Sequence, residues 1–227
     1  MNELTPTAAL LWEGRVAARR GPKPAMTLEQ IAEAGVAIAD EQGLDAVSMQ
    51  AVADSLGFTK MSLYRYVAGK DELLAVMVEH AAGDPPALPA RAGWRKQLGV
   101  WADALIESWL LHPWLPWATV GDRDMGPREV AWVECALRPL TRTRLTTSEQ
   151  LDAVFLLFGH LRNTQSLTSA GTQPWHEPGV MAMLERHQDR YPALLGASAA
   201  KLSRDNGRAF GLACILDGIE AQHQGRG

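Results

Sequence analysis

Apolar residues recur at helical spacing along almost the whole chain, and neither strict alternation nor a hairpin signal marks a strand. Leu28, Ile31, Ala32, Gly35, Ile38 and Ala39 form one stripe, which predicts a helix from Leu28 to near Gly43. Thr27 and Gln30 stand at capping-box spacing ahead of it, and Met26 with Ile31 supplies the hydrophobic staple that sets the entry of the chain. Behind Ser48, Met49, Val52, Ala53 and Leu56 repeat the i, i+3, i+4, i+7 pattern of a second buried face. Gly57 follows where a left-handed cap turns the chain without the clash of a β-carbon. A third helix is expected from Thr59, with Leu63 and Val67 facing inward, before Gly69 closes it. Lys70, Asp71 and Glu72 open a fourth, where acids suit the positive end of the helix dipole.

Residues 83–89, Gly-Asp-Pro-Pro-Ala-Leu-Pro, break the pattern and read as a linker. Beyond them Trp94, Leu98, Trp101, Leu105 and Trp109 trace a further helix, Pro113 and Pro116 interrupt it, and 127–140 form another. Thr147 with Gln150 has capping-box spacing and opens a helix to about residue 168, with Leu151, Val154, Phe155, Phe158 and Leu161 on one face. A last helix is expected over residues 199–221. The fold class is all-α. No internal repeat and no low-complexity run is present.

Two short helices joined by a glycine turn have the form of a helix-turn-helix. The outward positions of the second, Lys60, Met61, Ser62, Tyr64, Arg65 and Tyr66, include cations and aromatics but no acid. Val52-Ala-Asp-Ser-Leu-Gly57, Ser62-Leu-Tyr-Arg-Tyr-Val67 and Gly69-Lys-Asp-Glu-Leu-Leu74, with the capped helix before them, resemble the tetracycline-repressor (TetR) family of bacterial transcription regulators. A weaker likeness to the tetracycline-repressor type of C-terminal domain runs through Phe158-Gly-His160 and residues 210–219.

The resemblance implies three parts: a flexible basic N-terminal arm (1–24), a helix-turn-helix DNA-binding domain (25–74), and a helical effector-binding and dimerisation domain (75–227). It implies base or groove contacts from Gln50, Lys60, Met61, Ser62 and Arg65, and phosphate contacts from Ser48, Thr59, Tyr64, Tyr66 and Lys70. The chemistry agrees: Arg and Lys donate to guanine, Gln pairs with adenine, and hydroxyls suit phosphate oxygens. At Met61, where the family often has a basic or small polar residue, this chain has a thioether.

Charge qualifies this picture. Residues 1–80 hold seven basic and eleven acidic side chains, and the remainder fifteen of each, so the DNA module is net acidic. Affinity for DNA must then rest on local patches: Arg15, Arg19, Arg20 and Lys23 in one acid-free segment, and Lys60, Arg65 and Lys70 in another. At 227 residues and 47% hydrophobic composition the chain can bury a sizeable core. Cys135 and Cys214 stand far apart with no metal-ligand spacing, so neither a disulfide framework nor a structural metal is expected. The apolar run from Ala8 to Trp12 is too weak for a signal peptide, and no stretch suggests a membrane span; a cytoplasmic protein is expected.

Six of the eight tryptophans, Trp94, Trp101, Trp109, Trp114, Trp117 and Trp132, fall in one section. Regulators of the family bind a small effector in the C-terminal domain. The resemblance therefore implies a cavity walled by Trp101, Leu105, Trp109, Trp114, Trp117, Phe155 and Phe158, suited to a flat or apolar small molecule. His112, Arg123, His160, Asn163 and Gln165 are its candidate polar groups. No His/Asp/Glu cluster marks a metal site, and no cofactor is expected. Gly207, Gly211 and Gly218 on the last helix permit close packing, and with the helix from residue 148 they resemble the pair that forms the family's dimer interface. The expected function is a homodimeric, ligand-responsive regulator, a repressor released from a palindromic operator by its effector. The alternative is an all-α enzyme with a Trp-rich active site and an incidental helix-turn-helix. It lacks a nucleophile elbow, a phosphate loop or plainly paired carboxylates, and no catalytic residue is assigned.

Overall fold

The computed structural model describes residues 4–14, 26–165, 178–198 and 207–225. Two compact units divide the chain, Met1–Arg142 and Thr143–Gly227. All regular elements among the described residues are helical.

The first unit starts with α1 (Pro6–Glu13), inside the segment expected to be a flexible arm. Thr5 caps it by accepting the Ala8 N–H, and Pro6 takes the first turn, where its missing N–H costs nothing. Trp12 Nε1 donates to Met125 O at 2.9 Å and Thr5 Oγ1 donates to Asp124 at 2.6 Å, so tertiary hydrogen bonds fasten this short helix. The basic segment that follows, with Arg15, Arg19, Arg20 and Lys23, lies outside the described residues.

Next come α2 (Leu28–Gln42), α3 (Met49–Ser55), α4 (Lys60–Leu63) and α5 (Lys70–Ala82). Both halves of the expected Thr27/Gln30 capping box form. Ile31, Ala32, Gly35, Val36 and Ala39 bury the inner face of α2; Val36 is buried where Ile38 was expected, and Ile38 is only partly covered. Val52, Leu63, Val67, Leu73 and Met77 complete this small core, each wholly out of solvent. Gly35 lets α2 and α5 approach closely, since a β-carbon there would lie 2.6 Å from Met77 Sδ. The remaining helices of the unit are α6 (Trp94–Leu111), α7 (Leu115–Ala118) and α8 (Pro127–Leu140).

The expected break over residues 83–89 does form as an extended segment, yet it does not end the unit. Side-chain donors hold it in place. Trp132 Nε1 donates to Ala82 O at 3.0 Å, and Gln97 Nε2 to Pro89 O at 2.8 Å. The compact unit continues through α6, α7 and α8 to Arg142.

The second unit holds α9 (Thr147–Thr164), α10 (Pro178–Arg186), α11 (Pro192–Ser198) and α12 (Arg208–Gln224). The capping box of α9 sits one residue earlier than expected, on Thr146 and Glu149. Glu149 Oε2 accepts the Thr146 N–H at 2.8 Å, a bond a carboxylate makes strongly, while Gln150 turns back to Leu145 O. α9 ends at Thr164, earlier than expected, and residues 166–177 lie outside the described part. The last helix begins at Arg208 rather than near 199, after α11 and a stretch that is also outside it.

Burial on α9 follows Ala153, Val154, Leu157 and Leu161. Leu151 and Phe155, expected on the buried face, are 39% and 55% exposed, and Leu156 beside them is 57% exposed. The helix thus carries two apolar faces, one packed and one open.

Candidate nucleic-acid interface

Local chemistry builds the interface. Ser48 Oγ accepts the Ala51 N–H and starts α3; Gly57, at φ +73°, makes the turn; Thr59 Oγ1 accepts the Ser62 N–H and starts α4. α4 is a four-residue helix, shorter than the helix expected, and the chain continues as turns. Leu63 O accepts both the Tyr66 and the Val67 N–H, tightening the end so that Val67 can bury beside Leu63.

Leu63 pins the inner side of α4, and its outer side carries Lys60, Met61, Tyr64 and Arg65, all exposed; Met61 is 74% exposed. Lys60 Nζ lies over the Tyr64 ring, 5.7 Å from its centre, a cation–π arrangement that steadies both side chains. Ser62 and Tyr66 are partly covered, and Ser62 Oγ hydrogen-bonds Thr59 Oγ1 at 3.0 Å. On α3 Gln50 is exposed in the first turn and donates from Nε2 to Asp54 Oδ1 at 2.7 Å. Lys70 is exposed at the first position of α5, where Glu72 Oε2 accepts the Ala68 N–H. Eight of the ten expected DNA residues, Ser48, Gln50, Thr59, Lys60, Met61, Tyr64, Arg65 and Lys70, are thus exposed on α3, α4 and their caps, in the turn after α4 or at the start of α5.

Three contacts between this module and the rest of its unit escaped the sequence reading. Asp40, on α2, accepts from Trp114 Nε1 at 2.7 Å, and His112 Nδ1 lies 3.0 Å from both its oxygens. His112 ends α6 and Trp114 starts α7, so one carboxylate joins the DNA module to that corner. Glu79, near the end of α5, accepts the Arg128 N–H at 2.9 Å and so caps the N-terminus of α8. Partial burial raises the Glu79 pKa above its ordinary 4.5, with the Arg128 N–H and guanidinium opposing the rise. Trp132 then caps the same, C-terminal end of α5 by donating to Ala82 O and Gly83 O. Sequence spacing gave no signal for these pairs, since each joins positions 49 or more residues apart.

The expected effector residues fall in both compact units. Trp101, Leu105, Trp109 and Trp114 belong to the first and are buried; Trp101 Nε1 donates to Trp132 O at 3.0 Å and the two rings meet edge to face. Trp117, expected as a wall, is 43% exposed, because it lies on the outer side of the single turn of α7 whose Leu115, Pro116 and Ala118 face inward. His112 is engaged by Asp40, as above. Arg123 pairs with Glu129, but its buried Nε has no acceptor among the described residues. In the second unit Phe155 is exposed, whereas Phe158 is partly covered. His160 Nε2 lies 2.9 Å from Arg208 O, within the packing of α9 on α12. Asn163 is exposed, and Gln165 is buried with its Nε2 lacking an acceptor among the described residues. Among the described residues no group of His, Cys, Asp and Glu could hold a metal, and no helix is long and apolar enough to cross a membrane.

Comparison with known proteins supplies the family. Residues 31–77 match the model for bacterial regulatory proteins of the tetR family, and residues 85–223 that for the tetracyclin repressor-like C-terminal domain. The HTH-type transcriptional repressor DrrR1 of Streptomyces coeruleorubidus is 32% identical over 241 residues, covering 99% of this chain and 89% of that protein. Apo ActR from Streptomyces coelicolor shares the fold with a TM-score of 0.75 at 21% identity, over 91% of this chain and all of that one. ActR in complex with actinorhodin gives a TM-score of 0.72 at 23% identity, over 88% of this chain and 97% of that one. With more than half its length matched by a family model and a 32% identical relative along nearly all of it, the chain belongs to the tetR family of bacterial regulatory proteins, DNA-binding transcription regulators and not enzymes.

Proposed function

We propose that the protein is a repressor that binds a near-palindromic operator as a two-fold dimer and leaves it when a small molecule occupies the effector domain. The exposed, acid-free outer side of α4, with Gln50 beside it on α3, carries this reading. Lys60 and Arg65 reach base edges or phosphates in the major groove; Ser48, Thr59, Tyr64, Tyr66 and Lys70 hold the backbone.

Dimer formation is supported by the open apolar face of the second unit. Beside Leu151, Phe155 and Leu156 on α9, Phe210 on α12 is 77% exposed, and an open groove between the two helices is lined by Leu156, Ala153, Ile215, Gly218 and Ile219. Two copies of this face would bury one another, and a two-fold dimer carries two α4 helices for two half-sites.

For the effector, Arg123 Nε in the first unit and, separately, Gln165 Nε2 in the second are buried donors without acceptors among the described residues, which supports a ligand-facing role for each. A flat or apolar molecule remains the expected class, and in the similar ActR structure the bound molecule is actinorhodin. The signal would travel through the fastenings of α2 and α5, at Asp40 and Glu79. A ligand shifts the balance only by binding one form better than the other.

The test is fluorescence anisotropy on a DNA site selected from a random pool. Lys60→Ala and Arg65→Ala should each weaken binding by about tenfold or more and lower the salt slope if a phosphate contact is lost. Unchanged affinity in both variants would exclude this face as the DNA-reading surface.

A further inference from the structure

Between Ser48 and Lys70 the chain has a single acid, Asp54. An exposed carboxylate on a helix that faces DNA repels phosphates, so its place there calls for a compensating role. Its observed contact is with Gln50, one helical turn earlier: Gln50 Nε2 donates to Asp54 Oδ1 at 2.7 Å.

A carboxylate can only accept. The bond therefore decides which end of the Gln50 carboxamide points where, a choice the side chain alone would leave open. With one N–H given to Asp54, Gln50 has left an acceptor, Oε1, and one donor. In the major groove adenine offers the complementary pair, the N6 donor beside the N7 acceptor. Guanine offers two acceptors, N7 and O6, which ask for two donors.

We propose that Asp54 is a positioning residue that locks Gln50 in the orientation selecting adenine over guanine at one position of each half-site. The proposal rests on the reading of Gln50 as a base-facing residue. Asp54 itself touches no base; it acts through Gln50.

The test uses the full-length protein and a random DNA pool, followed by anisotropy on matched sites that carry adenine or guanine at the selected position. Wild type should prefer adenine by about tenfold or more, the scale of one bidentate pair. Gln50→Ala should abolish the preference. Asp54→Ala should bring it within about threefold, on top of an electrostatic gain from removing a repelling charge that is common to both sites. Asp54→Asn removes the same charge, but its carboxamide can donate as well as accept, so the adenine preference should fall between the two. The ratio of affinities is the readout that an electrostatic or merely structural role would not move.

A wild-type ratio in Asp54→Ala, with the preference lost in Gln50→Ala, overturns the positioning role and leaves the DNA reading intact. A wild-type ratio in Gln50→Ala shows that Gln50 does not read the base, and overturns the proposal with it. If wild type enriches no site at all, the DNA-reading assignment itself fails.

Discussion

Replacing Asp40 by alanine removes the acceptor that joins α2 to the α6–α7 corner. Trp114 is 6% exposed, so its indole N–H would be left buried without a partner. That costs about 1–3 kcal/mol for a buried donor, and the partner is a carboxylate, which places the loss in the upper half of the range. His112 loses the same acceptor but lies nearer solvent, with 14% of its side chain accessible, and adds less. A total of about 2–3 kcal/mol corresponds to a fall in Tm of roughly 4–12 °C for a chain of this size. Thermal and urea unfolding of Asp40→Ala would read this, with neighbouring exposed Glu41→Ala as a control expected within about 0.5 kcal/mol of wild type. The decisive version is a double-mutant cycle with Trp114→Phe, which removes the N–H donor along with some packing that the cycle cancels. The two changes should be coupled by about 1–2 kcal/mol. Strict additivity would refute the bond. If the bond also carries the signal, Asp40→Ala should alter operator affinity although it is remote in sequence from α4.

Other consequences follow from the same geometry. Leu156→Glu, on the open face of α9, should turn a dimer into a monomer by sedimentation at micromolar concentration and lower operator affinity about a hundredfold or more; an unchanged sedimentation coefficient would clear this face of the role. Gly35→Val should destabilise by about 1–3 kcal/mol through overpacking against Met77, measured by urea midpoint. Glu79 has a raised pKa in the folded protein, so the folded state binds its proton more tightly than the unfolded state does, and the stability this gives is present below 4.5 and lost as pH rises through the folded value. Glu79→Gln keeps an acceptor for the Arg128 N–H without the charge. Its stability relative to wild type should therefore improve as pH rises from about 4.5 to neutrality, and a difference that stays flat with pH would count against the burial effect.

Local signals in the sequence were strong wherever a turn or cap was at stake. Thr27 with Gln30, Ser48, Gly57 and Thr59 each act through neighbours within four residues, and each forms as expected. The Thr146/Glu149 box was misplaced by one position because Thr146 and Thr147 both have a capping partner three residues on, and the stronger acceptor won. α1 carried a readable start in Thr5-Pro6, but eight residues are too few to be stable alone, and its docking through Trp12 has no local signature. Apolar periodicity on α9 misjudged which residues are buried because the helix is apolar on two sides, and only one of them is packed. The residues proposed to face DNA could be named because they are the outward positions of a short motif whose inner positions are buried. The long-range pairs at Asp40 and Glu79 were not, since a single sequence holds no record of which distant side chains meet.

The central claim is that two copies of the α3–α4 surface read one symmetric DNA site. Selection of full-length protein against a random duplex pool tests it most directly. The account predicts enrichment of a near-palindrome whose half-site centres lie about one helical turn, roughly 10 base pairs, or a multiple of it apart. It also predicts that Arg65→Ala and Leu156→Glu each abolish the enrichment. Recovery of no sequence, or of an asymmetric single site bound equally well by Leu156→Glu, would contradict it.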